Sequence, residues 1–199
     1  ALICGTLMWW IINALGVPLP WIAAMVFGAL IAPTDPVAIT SIMRRSSVRP
    51  EVKSPIIGES MFNDAAAIVL FYLLANLSVT DASFSATNVA LMFLWQLVGG
   101  VALGAMLGWL GQYVLSTTAD NSVSVLITIG LVFGGSAIAD TIHVSGPTAM
   151  VVGGLIVAAR HGLDSADRSH PVVNFWSVID VALNAVLFVL IGLELLLVV

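Results

Sequence analysis

Charge is what this 199-residue sequence has least of: six Lys and Arg and eleven Asp and Glu, 9% in all. Soluble globular chains carry about 25% charged residues, so this composition cannot clothe a water-facing surface. Six basic residues also cannot build the basic stripe that grips phosphate backbones, and no nucleic-acid partner is expected. The single cysteine, Cys4, excludes an internal disulfide. Repeats of roughly 20–50 residues are missing, as are low-complexity tracts, which argues against a solenoid or a disordered linker. What is abundant is apolar surface, with 60% hydrophobic residues and a mean hydropathy of +1.10. The fold class expected is an all-α polytopic membrane protein, with the lipid bilayer as its solvent.

A hydrocarbon core of about 30 Å needs roughly 20 residues of helix. On that measure the apolar runs divide into about seven spans, at 2–16, 21–43, 54–77, 87–115, 122–142, 146–160 and 172–199. The first ends at Gly16-Val17-Pro18-Leu19-Pro20, and a tight turn at His143-Val144-Ser145-Gly146-Pro147 separates the fifth from the sixth. Residues 1–199 read as one transmembrane domain. Ala1 stands inside an apolar run and residues 195–199 close another, so the expectation is an internal fragment of a longer polytopic protein. Basic residues in short loops mark the cytoplasmic side. Arg44, Arg45, Arg49 and Lys53 crowd the loop at 44–53, and Arg160 and Arg168 sit in or beside the loop at 160–171. Alternation across seven spans puts both loops on one side and the loop holding Asp81, which has no Lys or Arg, on the other.

Acids inside the apolar runs carry the chemistry. In the second span, Ala32-Pro33-Thr34-Asp35-Pro36 sets two prolines three residues apart. Each removes a backbone donor and clashes with the preceding turn, so the helix is predicted to break at 32–36. Unwound backbone at membrane depth survives when it is buried in protein or lines a wet cavity. An aspartate in such a break resembles the discontinuous helices that build ion sites in secondary transporters. Asp35 can equally cap the second half-helix, and the two roles are compatible.

The third span carries Gly58-Glu59-Ser60-Met61-Phe62-Asn63-Asp64. Glu59 and Asn63 are helical i,i+4 neighbours, as are Ser60 and Asp64. Two carboxylates, a hydroxyl and an amide thus occupy adjoining parts of one helix surface. A charge at the bilayer centre costs on the order of 2.5–3.5 kcal/mol, so two acids in one span call for a functional reason. An all-oxygen ligand set suits hard cations such as Na⁺, Li⁺ or H₃O⁺. A desolvated carboxylate resists standing bare and charged, so it holds either a proton or a cation. Competition for Asp64 would then couple the two flows.

Other polar residues leave alternatives open. Asp140, one turn before His143, is a hydrated cap or an ion ligand. Ser145 reads as the N-cap of the sixth span. Asp180 and Asn184 form an i,i+4 pair that could face the bundle interior. Arg160 is either a positive-inside anchor or the neutralising partner of Glu59. Gly99-Gly100, Gly104 and Gly108 give the fourth span a stripe suited to close helix packing.

Thr34-Asp35-Pro36, then Gly58-Glu59-Ser60 and Asn63-Asp64, resemble the monovalent cation:proton antiporter-1 family of bacterial NhaP-type antiporters and animal NHE exchangers. The likeness continues through His143-Val144-Ser145-Gly146, Phe175-Trp176 and Leu187-Phe188-Val189-Leu190-Ile191-Gly192-Leu193. It implies a NhaA-like inverted-repeat fold and a transporter, not an enzyme. It implies exchange of Na⁺, or Li⁺ or K⁺, for protons, with no cofactor. Asp64 would be the main ion- and proton-binding carboxylate, with Asp35, Thr34, Ser60 and Asn63 around it. Glu59 would be a structural acid paired with an arginine, Arg160 being the one in that region. An Asn before the carboxylate resembles the electroneutral branch. The resemblance further implies a homodimer in the full-length protein, a plasma (inner) membrane location, and a role in intracellular pH and Na⁺ homeostasis.

Rival chemistries fit less of the sequence. An intramembrane aspartyl protease could pair Asp35 with Asp64, but its Gly-x-Gly-Asp segment is missing and Glu59 and Ser60 would have no role. A passive cation channel would want a ring-like filter, whereas this cluster is asymmetric. A sensor built on a transporter scaffold would keep the fold without the flux. A rhomboid-like protease on Ser145 and His143 lacks a nucleophile motif.

Overall fold

A computed structural model describes residues 1–33, 50–80, 86–118, 120–161 and 171–198. Every regular element among them is an α-helix: α1 Leu2–Ala14, α2 Trp21–Leu30, α3 Pro50–Thr80, α4 Ala86–Ser116, α5 Asn121–Thr141, α6 Gly146–His161 and α7 Pro171–Val198. Four contain apolar stretches long enough to cross a membrane, Gly58–Leu77, Thr87–Ser116, Asn121–Thr141 and Pro171–Glu194. The chain is an all-α polytopic membrane protein.

The punctuation follows local chemistry. Gly16, at φ +83°, adopts the left-handed conformation that ends α1 without steric cost. Asn13 closes the same turn by donating through Nδ2 to the carbonyls of Trp9 at 2.8 Å and Leu19 at 3.2 Å. Asp120 caps α5, its carboxylate accepting from the Ser122 N–H at 2.7 Å. Ser145 caps α6 as expected, accepting from the Thr148 N–H at 3.1 Å. His143 takes φ 56° in the turn between α5 and α6.

Both loops assigned to the cytoplasmic side are shorter than the sequence expectation: α6 runs on through His161 and α7 starts at Pro171, which confines the loop expected at 160–171 to 162–170. Residues 50–53, assigned to a cytoplasmic loop at 44–53, belong to α3. Pro50 occupies the first helical position, where its missing N–H has no intrahelical partner to lose. At 31 residues, α3 is about 46 Å long, well beyond a hydrocarbon core of about 30 Å. Its polar first turns extend past the apolar stretch beginning at Gly58. Loop and protruding helix have the same polar composition there, which is why hydropathy alone did not separate them.

Packing falls into two groups. α1, α2 and α3 stack in order, while α4 packs most extensively on α6, with α5 and α7 alongside; α3 touches both α4 and α6. Small residues permit the tight crossings. A Cβ on Gly28 would come within 2.8 Å of the Gly5 Cα, binding α1 to α2. A Cβ on Gly100 would come within 2.8 Å of the Ser145 carbonyl, one on Gly104 would strike that of Ala149, and one on Gly108 would lie 2.9 Å from Gly153. The paired numbers rise together, so α4 and α6 run parallel. Met25 and Ala29 of α2 pack with Leu70, Phe71 and Leu74 of α3.

Candidate functional site

The site begins with α2 stopping short. Its ten residues span only about 15 Å, half a bilayer core. Ala32 and Pro33 are non-helical, in agreement with the predicted break at its near edge. Thr34, Asp35 and Pro36 lie outside the described residues. A helix end leaves carbonyls without partners, and Pro33, with no N–H, cannot help to satisfy its neighbours.

The partner comes from α3. Asn63 donates through Nδ2 to the Ala32 carbonyl at 3.1 Å, across 31 residues of sequence. A carbonyl can only accept, so the facing amide atom must be the nitrogen. Asn63 therefore holds the start of the break as a donor. This backbone latch had no sequence signal, because Ala32 contributes only its main chain.

Around Asn63 the rest of the cluster is ordered by helical rotation. Ser60 is buried at 4% exposure, Asn63 and Asp64 are half-buried, and Glu59 is exposed. Asp64 stands about 9 Å along the axis from Gly58, well inside the apolar stretch. Met61, one turn before Asp64, lines a cavity of about 600 Å³ with Leu107, Gly108, Ala149, Gly154 and Trp176. At 100° per residue, Glu59 is rotated roughly 160° from Met61 and faces away from that cavity. Arg160 sits in the last turn of α6, but its side chain, and with it the Glu59–Arg160 pairing, lies outside the described residues.

The remaining polar residues are dispersed. Asp140 is exposed in the last turn of α5. Asn184 donates to the Asp180 carboxylate at 3.3 Å, forming the expected pair. Asp180 is exposed within this chain and does not face its interior. Ser145, Thr148 and Gln96 form a structural node: the Ser145 N–H donates to the Gln96 carbonyl at 3.1 Å, and the Ser145 and Thr148 hydroxyls are 2.7 Å apart. The Trp176 indole N–H donates to Thr128 Oγ1 at 3.0 Å, tying α7 to α5.

Residues 1–199 match the family described as sodium/hydrogen exchanger, transmembrane. The Na⁺/H⁺ antiporter NhaP of Pseudomonas aeruginosa is 39% identical over 198 residues, covering 98% of this chain and 46% of the relative. The Na⁺/H⁺ antiporter NhaH of Halobacillus aidingensis is 33% identical over 184 residues, covering 88% and 45%. A sodium, potassium, lithium and rubidium/H⁺ antiporter of Bacillus pumilus is 28% identical over 201 residues, covering 97% and 29%. The chain thus spans less than half the length of these curated relatives. With matching over its full length, a half-helix latched to an oxygen-rich span and an all-helical membrane architecture, the chain belongs to the sodium/hydrogen exchanger family.

Proposed function

We propose that the protein containing this chain exchanges Na⁺, or Li⁺ or K⁺, for protons by alternating access, and that residues 1–199 carry its ion-binding portion. The observation that carries this reading is the Asn63–Ala32 hydrogen bond of 3.1 Å. It seats the Asp64 segment against the end of α2, which Thr34 and Asp35 follow in the sequence. Asp64 is the competing carboxylate, taking either a cation or a proton because a bare charge at this depth is costly. Ser60, one turn away on the same face, offers a hydroxyl oxygen, and Thr34 and Asp35 supply further hard ligands. Glu59 is a structural acid and Arg160 its proposed counter-charge.

Asn63 occupies the place where a second acid would add a charge to the site. One carboxylate exchanging one cation for one proton moves no net charge, so the cycle is electroneutral. The names of the relatives support sodium and proton as the exchanged ions, and that of the Bacillus pumilus protein extends the set to potassium, lithium and rubidium. The division of packing into α1–α3 and α4–α7 suits a rocking exchange of access. We place the full-length protein in the plasma membrane as a homodimer, with loops 44–49 and 162–170 cytoplasmic and a role in pH and Na⁺ homeostasis. It needs no cofactor.

The test uses the full-length protein in everted vesicles with an imposed pH gradient. Adding Na⁺, Li⁺ or K⁺ dissipates the gradient, and Asp64→Asn abolishes that response while leaving the protein in the membrane. Normal exchange by the variant would remove Asp64 from the site. Insensitivity of the rate to membrane potential checks electroneutrality.

A further inference from the structure

Along residues 177–194 of α7 the polar side chains are Ser177, Asp180, Asn184 and Glu194. At about 100° per residue they fall within one arc of roughly 100°, and the opposite half of the helix there holds only apolar residues and Gly192. Asn184 donates to the Asp180 carboxylate on this face at 3.3 Å. We infer that the face is an interface with a segment of the same protein outside residues 1–199, and that this segment sets a Lys or Arg side chain against Asp180 at membrane depth.

Asp180 stands well inside the apolar stretch Pro171–Glu194, about 14 Å of helix from its start and about 21 Å from its end. A carboxylate at that depth is costly against lipid, and such residues face a bundle interior and pair there. This chain holds no cation for it. Its six Lys and Arg stand at 44, 45, 49, 53, 160 and 168, none inside an apolar stretch of a described helix. Among the described elements α7 packs on α5 alone, where the Trp176 indole reaches Thr128. The apolar stretch of α5, Asn121–Thr141, contains no Lys, Arg or His. Asn184 gives Asp180 a neutral amide and no counter-charge. A second copy of the chain, docked by two-fold symmetry, would set this acid-bearing face against itself. The remainder of the protein is the source left, since this chain covers only 46% and 45% of its relatives NhaP and NhaH. Polar side chains bridging helices are also what holds segments together where lipid is as apolar as leucine.

The experiment reads the stability of the full-length protein in detergent and not transport, so it stands apart from the exchange reading. Asp180→Leu is expected to lower the melting temperature by about 5 °C or more, because removing one partner leaves the other charge buried alone. Each Lys and Arg of the predicted spans outside residues 1–199 is then changed to Met in that background. One such change is expected to restore most of the loss, as two residues in contact do when both are replaced. Should Asp180→Leu not fold, Asp180→Asn, which keeps the shape and removes the charge, is read in the same way. An unchanged or raised melting temperature on removing the acid, as for a carboxyl group facing lipid, would overturn the inference. So would a loss that no Lys or Arg→Met outside residues 1–199 repairs, or one repaired by Arg160→Met or Arg168→Met. Spontaneous disulfide-linked dimers of Leu187→Cys, on the same arc and in a protein otherwise without cysteine, would place a second copy on this face and overturn it as well.

Discussion

Asn63 does two jobs with one amide, and substitutions separate them. Asn63→Ala removes the donor to the half-buried Ala32 carbonyl, and losing such a hydrogen bond costs about 0.5–1.5 kcal/mol. A lowered melting temperature in detergent is expected, together with slower exchange. Asn63→Asp sets a carboxylate oxygen against a carbonyl oxygen, two acceptors without a proton between them. When protonated, the new acid regains a donor. The variant should therefore be least stable at alkaline pH and recover as pH falls, which melting curves across pH would read. Thr128→Val removes the acceptor of the Trp176 indole and is expected to cost about 1–3 kcal/mol through an unsatisfied N–H. Thr128→Ser keeps the oxygen and should restore most of the loss.

Between elements, the α4–α6 crossing depends on the absence of side chains. Gly104 packs directly on the Ala149 carbonyl, a rigid backbone atom that cannot step aside. Gly104→Val is expected to force the helices apart, costing about 1–3 kcal/mol as overpacking and lowering the detergent melting temperature. Gly130→Ala on α5 meets nothing within 4 Å and removes a flexible residue from a helix, so stability should hold or rise by up to about 1 kcal/mol. Comparing the two separates glycine used for close approach from glycine that merely fits. The turn bearing His143 and Ser145 supports the same crossing, since the Ser145 N–H reaches α4 at Gln96.

Across the whole molecule, the direction of each helix follows from the basic residues and the span count. On a Cys4→Ser background, Ser165→Cys between α6 and α7 should react with an impermeant maleimide only from the cytoplasmic face. Ser83→Cys between α3 and α4 should react only from the opposite face. Labelling of both from the same side would break the alternation and the orientation with it. The parallel course of α4 and α6, separated by one antiparallel helix, agrees with that alternation independently of charge. α7 differs from the other long spans in burying little of its apolar stretch within this chain, Val172 near its start being buried, although it carries the Asp180–Asn184 pair.

Local pattern alone determined that this is a helical membrane protein, where its helices run to within a few residues, and that the second one stops near Pro33. Each follows from short-range physics: hydropathy over a bilayer thickness, proline stereochemistry and capping by Ser145. The motif around Asp64 was equally readable, since helical periodicity groups Ser60 with Asp64 and Glu59 with Asn63. Only the tertiary structure decided that the Asn63 amide holds the Ala32 carbonyl, that Glu59 turns away from the cavity, and that Asp180 faces outward. In a bilayer, lipid and protein interior are equally apolar, so hydrophobicity cannot say which face of a helix meets a neighbour. That choice rests on small-residue contacts and hydrogen bonds between segments far apart in sequence, which no local window contains.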